Sequence, residues 1–177
     1  MNTQSVSIIV TCGDQQQQLR LLLPSLLSLR YGGDYEVIVV DKMHDKDLEE
    51  WLEDMEAQYS YLSHTFCPAS SRGLDVQRLA LTLGAKAANF EWLAILPVDV
   101  NPPSKEWLQK LAPQLSKESD IQVCLTDARR RWGWFQSYLF RHKFSLYRSI
   151  PGIILCHRST LIQGKPIKLT KQQIIKL

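Results

Sequence analysis

VSIIVTCGDQQQQLRLLLPSLLSLRYGGDYEVIVVD, residues 6–41, decides the fold. Residues 6–10 are a continuous, β-branched apolar run closed by Thr11, Cys12, Gly13 and Asp14. A run without polar alternation reads as a strand buried on both faces, the condition of a parallel sheet covered by helices. Residues 15–29 are Leu-rich on one side, with Arg20 and glutamines on the other. That spacing predicts a helix, which Pro24 should kink or divide. Tyr31, Gly32, Gly33 and Asp34 break it, and residues 36–40 (EVIVV) form a second buried-strand run ending at Asp41. Strand, helix and strand make a βαβ unit, with a right-handed crossover as its default.

The same alternation continues outward. Residues 47–61 carry Leu48, Trp51, Leu52, Met55 and Tyr59 at helical spacing. Asp47, Glu49 and Glu50 in the first turn suit the positive end of a helix. Residues 62–67 predict a third strand, 70–73 a loop, and 76–89 a helix with Leu79, Leu83 and Ala87 on one face. Residues 92–96 (WLAIL) predict another buried strand, stopped by Pro97. A helix is expected from Lys105 to about Leu115, with Ser104 as N-cap and Pro113 near its end. Residues 121–125 read as the last clear strand. Strands and helices alternate throughout, so the fold class is α/β, a mainly parallel sheet in a three-layer α/β/α arrangement.

Length and composition agree with a single domain. The chain has 177 residues, 45% hydrophobic and 22% charged, and a chain of this size buries roughly 70% of its unfolded surface. Disordered, collagen-like and coiled-coil classes are excluded. Net charge is +3, from 21 basic and 18 acidic residues mixed along most of the chain, which speaks against a nucleic-acid partner. Cys12, Cys67, Cys124 and Cys156 form no C-x-x-C pair and no zinc spacing with a histidine. Cys12, Cys124 and Cys156 lie in or beside apolar runs, so they read as buried, reduced thiols of a cytoplasmic protein. The polar start Met1-Asn2-Thr3-Gln4-Ser5 is not a signal peptide. No apolar run approaches the roughly 20 residues that span a bilayer.

In open parallel sheets, ligands bind outside the carboxyl ends of the strands. The residues there are Thr11, Gly13 and Asp14 after the first strand, Asp41 after the second, and Asp99 after the strand at 92–96. Carboxylates so placed could serve a ribose, a base edge or a metal–diphosphate group. Each also has a purely structural reading: Asp14 as a helix N-cap, Asp41 and Asp99 as turn residues. No G-x-G-x-x-G follows the first strand and no G-x-x-x-x-G-K-[ST] occurs, so dinucleotide and P-loop sites are unsupported. His44, His64, His142 and His157 show no mutual spacing or acidic partner and read as structural or exposed.

Three stretches together resemble the GT-A fold of glycosyltransferase family 2, the inverting nucleotide-sugar transferases. VSIIVTCGDQ is similar to the family's opening strand and turn, "SIIIPTYNE". EVIVVDKMHDKD is similar to "EVIVVDDGSTD". LALTLGAKAANFEWLAILPVDVNPPSKEWLQKL resembles "ALNxGxxxAxGEYxxxLDADxxPxxxxL", the form found in a bacterial subgroup that often carries membrane helices. The resemblance runs from Val6 to Leu125 and weakly on to about Leu161. It implies a nucleotide-diphospho-sugar donor, transfer to an acceptor hydroxyl in polysaccharide biosynthesis, and a cytoplasmic location, including the cytoplasmic face of a membrane. It also implies that Thr11, Asp14 and Asp41 bind the nucleotide. Asp99, matching the second acid of the family's D-x-D motif, would hold Mg2+ or Mn2+ on the diphosphate.

The chain departs from that pattern at several positions. Pro97 stands at the first D-x-D position, and Lys42, Met43 and His44 replace the residues that usually follow the first acid. Gln77 and Arg78 stand near a position where the subgroup commonly has lysines. An inverting transfer needs a base to deprotonate the acceptor, yet no Asp or Glu follows Asp127, and neither Asp120 nor Asp127 aligns with the family's catalytic acid. The catalytic residue is therefore unknown. The processive Q-x-x-R-W motif is also absent.

The segment from Arg129 to Lys143, RRRWGWFQSYLFRHK, encloses aromatic residues between basic ones. It reads as a core-packing helix with solvated ends, as a peripheral membrane or partner contact, or, least of the three, as a surface for single-stranded nucleic acid. The expected organisation is a nucleotide-sugar-binding core at 1–125, with 126–177 a shortened acceptor-side region and basic tail of the same domain. The alternatives to a transferase are a degenerate, non-catalytic module that binds a nucleotide or a protein, and an unrelated α/β interaction domain.

Overall fold

The computed structural model describes residues 3–68, 75–100, 104–115, 121–125, 152–162 and 174–176. The segment from Arg129 to Lys143, the late acids Asp120 and Asp127, and the loop at 70–73 lie outside them.

The chain order is β1 (Val6–Cys12), α1 (Gln16–Leu27), β2 (Tyr35–Asp41), α2 (Lys46–Glu56), β3 (Leu62–Phe66), α3 (Val76–Ala87), β4 (Trp92–Pro97) and α4 (Trp107–Leu111). A 3-10 turn (Ala112–Gln114) and β5 (Ile121–Leu125) follow, then β6 (Ile153–His157), α5 (Arg158–Ile162) and β7 (Ile174–Lys176). The sheet has seven strands in the order β3-β2-β1-β4-β6-β5-β7. β1 pairs in parallel with β2 and β4, β2 with β3, and β5 with β7. β6 runs antiparallel between β4 and β5. Among the described residues, no helix is long and apolar enough to cross a membrane.

The unbroken apolar runs follow from burial on both faces. Side chains alternate across a strand, so Ile8 and Val10 of β1 meet Leu19, Leu23 and Leu26 of α1, while Ile9 meets Ala80, Leu81 and Ala85 of α3. One face of the sheet thus packs on α1, α2 and α4, the other on α3 and α5. This is the three-layer arrangement expected.

Local chemistry explains where helices begin and end. Asp45 and Asp75 cap α2 and α3, their carboxylates accepting the Leu48 and Arg78 amides at 3.0 and 3.1 Å. α1 buries Leu19, Leu22, Leu23, Leu26 and Leu27, spaced for one helical face. Pro24 does not divide it: the ring lies on the exposed side, where water can satisfy the carbonyl that its missing N–H leaves free. The helix expected to start at Lys105 is shorter. Residues 105 and 106 form a turn closed by the Trp107 amide on the Ser104 carbonyl, and Pro113 converts the end into the 3-10 turn.

At the amino end of the sheet, Glu36 ties three segments together. Its carboxylate accepts Ser7 Oγ at 2.5 Å and the backbone N–H and side-chain amide of Asn89, each at 2.7 Å. Ser7 in turn accepts the Phe90 amide at 3.2 Å. Glu36→Ala is expected to lower stability by about 1 kcal/mol, since Asn89 is exposed and water replaces part of what is lost. Urea unfolding monitored by Trp fluorescence checks this.

Candidate functional site

Parallel pairing brings the carboxyl ends of β1, β2, β3 and β4 to one rim. Cys12 stands opposite Asp41, Asp41 opposite Phe66, and Thr11 opposite Pro97. The ladder runs one residue further, because the Lys42 amide bonds to the Cys12 carbonyl at 2.8 Å.

Asp41 is 3% exposed, and its carboxylate organises the loop that follows. One oxygen accepts the Met43 amide at 2.8 Å, the other the Asp45 amide at 2.6 Å. Between these anchors His44 takes a left-handed backbone conformation, φ 54°, which costs a non-glycine residue roughly 1 kcal/mol. Its ring stacks on Phe66 with centroids 3.7 Å apart and planes 3° from parallel. The turn-forming role of Asp41 is therefore realised at the rim itself.

Thr11, 5% exposed, leaves the opposite face of the sheet. Its hydroxyl accepts the side-chain N–H of Gln77 at 3.1 Å. The amide oxygen of Gln77 accepts Lys42 Nζ at 3.2 Å. Gln77 is the second residue of α3, so that helix delivers it to the rim. Thr11 and Asp41 thus come to adjacent strands but address different faces. Asp14 is exposed beyond β1 and does not cap α1; the cap position falls to Gln15, which makes no side-chain bond. Asp99 is exposed in the turn after β4, closed by the Val100 amide on the Pro97 carbonyl at 3.1 Å.

For a divalent cation the donor set is thin. Among the described residues, no three His, Cys, Asp or Glu side chains cluster closely enough to hold a metal ion. Pro97 offers no ligand, which leaves Asp99 as the one carboxylate of its turn. One exposed carboxylate does not make a protein-held site, and we derive no step through a metal.

Burial keeps the described thiols protonated, Cys12 and Cys67 at the rim and Cys156 toward the other end of the sheet. Burial pushes Cys12 up to about 11, reinforced by Asp41 and opposed by Lys42. Burial also raises Cys67, and Cys156 to about 12. These three are free, buried and protonated at neutral pH. The histidines correct the sequence reading, because three of them have acidic neighbours. His64 Nδ1 lies 2.7 Å from Glu56, His44 Nε2 3.5 Å from Glu49, and His157 Nε2 3.7 Å from Glu91. Sequence reasoning passed over Gln77 as a rim residue. Its signals were its place in the first turn of a helix that follows a strand and its position near the subgroup's lysines.

The sequence matches the model of glycosyl transferase family 2 over residues 7–173. No curated protein shows significant sequence similarity to the chain. The fold is similar to that of the mannosyltransferase PcManGT from Pyrobaculum calidifontis, solved with GDP-Man and Mn2+. There the TM-score is 0.66 at 16% identity, over 94% of this chain and 48% of that one. It is also similar to S. aureus TarS 1-349, with TM-score 0.64 at 19% identity over 98% of this chain and 58% of that one. The TarS complex with UDP gives 0.63 at 20% identity, over 98% and 57%. The chain therefore spans about half the length of these proteins. The likeness shows the GT-A fold, a Rossmann-like and mainly parallel sheet between helices, as the sequence led us to expect. Matched over most of its length, the chain belongs to glycosyl transferase family 2.

Proposed function

We propose that the rim formed by β1, β2 and β4 binds a nucleotide-diphospho-sugar, and that the chain is the donor-binding part of an inverting hexosyltransferase. The observation that carries this is the placement of Thr11, Asp14, Asp41 and Asp99 at the carboxyl ends of parallel strands, in a family 2 chain. The solved relatives support it, one with GDP-Man and one with UDP. In this reading Thr11 and Asp14 bind the nucleotide, and Asp41 shapes the loop beneath it. Were a cation to accompany the diphosphate, Asp99 is the residue that would reach it. Residues 126–177 would serve the acceptor. The segment from Arg129 to Lys143 would hold the protein at the cytoplasmic face of a membrane, and free thiols suit that reducing compartment.

A second reading has its own support. No Asp or Glu follows Asp127, and Pro97 replaces a ligand position, so a nucleotide-binding module without transfer is the alternative. Calorimetric titration with UDP and GDP tests both. We expect one of them to bind at a single site, and Thr11→Val to weaken it about tenfold, the worth of one hydrogen bond. Absence of binding to either nucleotide sinks both readings. Turnover of a donor sugar would decide for the transferase.

A further inference from the structure

Among the described residues, Lys42 is a cation at the rim without an anion. Its side chain leaves on the α3 face, half-buried, and Nζ meets the Gln77 amide oxygen at 3.2 Å. An ammonium has three donors and no acceptor, and here its hydrogen-bond partner is neutral. Among the described residues, no carboxylate lies within ion-pair distance of Lys42. The adjacent Asp41 directs its two oxygens to the Met43 and Asp45 amides instead. A half-buried ammonium held by one neutral amide would gain a stronger, charge-assisted bond from an anion.

Two further features keep the ammonium over the rim. A Cβ at Gly13 would lie 3.3 Å from Lys42 Cε and 3.7 Å from Nζ, so the absent side chain lets the lysine lie across the end of β1. Gln77 is held from its other end by Thr11, its N–H on the hydroxyl and its oxygen toward Lys42. The amide oxygen thus stands where an anionic oxygen would make the stronger, charge-assisted bond. Among the described residues no cluster would hold a metal ion, and the turn after β4 offers the single exposed carboxylate of Asp99.

We propose that Lys42 receives the diphosphate of the donor, displacing the Gln77 oxygen, and that nucleotide binding here is independent of a divalent cation. This rests on the nucleotide-sugar reading and adds the group that meets the phosphate charge. A nucleoside diphosphate and a free pyrophosphate present the same chemistry, and the experiment separates them.

The full chain is titrated with UDP, GDP, uridine, guanosine and pyrophosphate, in EDTA and in Mn2+. The nucleotide that binds is expected to do so equally, within twofold, in both media. Lys42→Met should weaken it at least tenfold and leave its nucleoside within twofold, while Lys42→Arg, which keeps the charge, should retain most of the affinity. Gln77→Leu, which removes the neutral partner, should hold or raise it. Pyrophosphate binding that Lys42→Met abolishes would show that the anion site works without the nucleoside. A requirement for Mn2+, or full affinity in Lys42→Met, overturns the proposal and leaves the nucleotide reading standing. Nucleoside binding that the diphosphate does not strengthen also overturns the proposal alone. No binding by any nucleotide or nucleoside overturns both. Thermal unfolding of each variant separates lost charge from lost fold.

Discussion

Gly84→Val is expected to destabilise the protein by about 3 kcal/mol, the upper range for overpacking a well-ordered core. Gly84 is buried at the ninth position of α3, where the helix crosses the sheet. A Cβ there would stand 2.8 Å from Ile9 Cγ2, 3.2 Å from Val40 Cγ2 and 3.3 Å from Ile9 Cδ1. Neither neighbour can retreat. Ile9 and Val40 are fully buried, stiff at χ1, and set in β1 and β2, which pair on both sides. Gly84→Ala meets the same contact but regains about 1 kcal/mol of helix propensity, so its net loss should be near 1 kcal/mol. Urea titration would show the valine midpoint lowered by about 1.5 M at a slope near 2 kcal/mol/M. An unchanged midpoint would mean that α3 does not approach the sheet this closely. The effect should extend to ligand binding, because α3 packs on β1 and β2, whose carboxyl ends form the rim.

The elements that were legible in the sequence are those with local physical signatures. β1, β2 and β4 are apolar runs because both faces of the sheet are covered, and that covering is itself what marks them as central parallel strands. β6 was not foreseen, although Ile153, Ile154, Leu155 and Cys156 form an apolar run of the same kind. Its position between β4 and β5, antiparallel to both, depends on pairing across long sequence separations, which no local pattern specifies. β7 has three residues, too few for a period to show. At the site, the strand-end rule found Thr11 and Asp41 but not the face each addresses. That follows from register, Cys12 opposite Asp41, which places Thr11 on the other side. The link from Lys42 to Thr11 through Gln77 joins residues 35 and 66 positions apart, so only the fold reveals it.

Asp41→Ala is expected to cost about 3 kcal/mol and to weaken nucleotide binding together with stability. The substitution strips the acceptors from the Met43 and Asp45 amides. Each partly buried donor left unpaired costs about 1–3 kcal/mol, with water recovering some of it. His44 then loses the anchors on either side that hold its left-handed conformation, and its stacking on Phe66 should fail with them. Lys42 precedes that loop, so its side chain should lose its fixed course past Gly13 toward Gln77. Asp41→Asn is the informative partner: it keeps one acceptor oxygen but turns an N–H toward the other backbone N–H, so it should recover little of the loss. The coupling of the two readouts carries the argument. If Asp41 acts through the loop, affinity and unfolding midpoint fall together in both variants. If it acts on the base directly, affinity falls while the midpoint holds, and the loop role assigned to it here would be wrong. Paired urea unfolding and calorimetric titration of the two variants distinguish these outcomes.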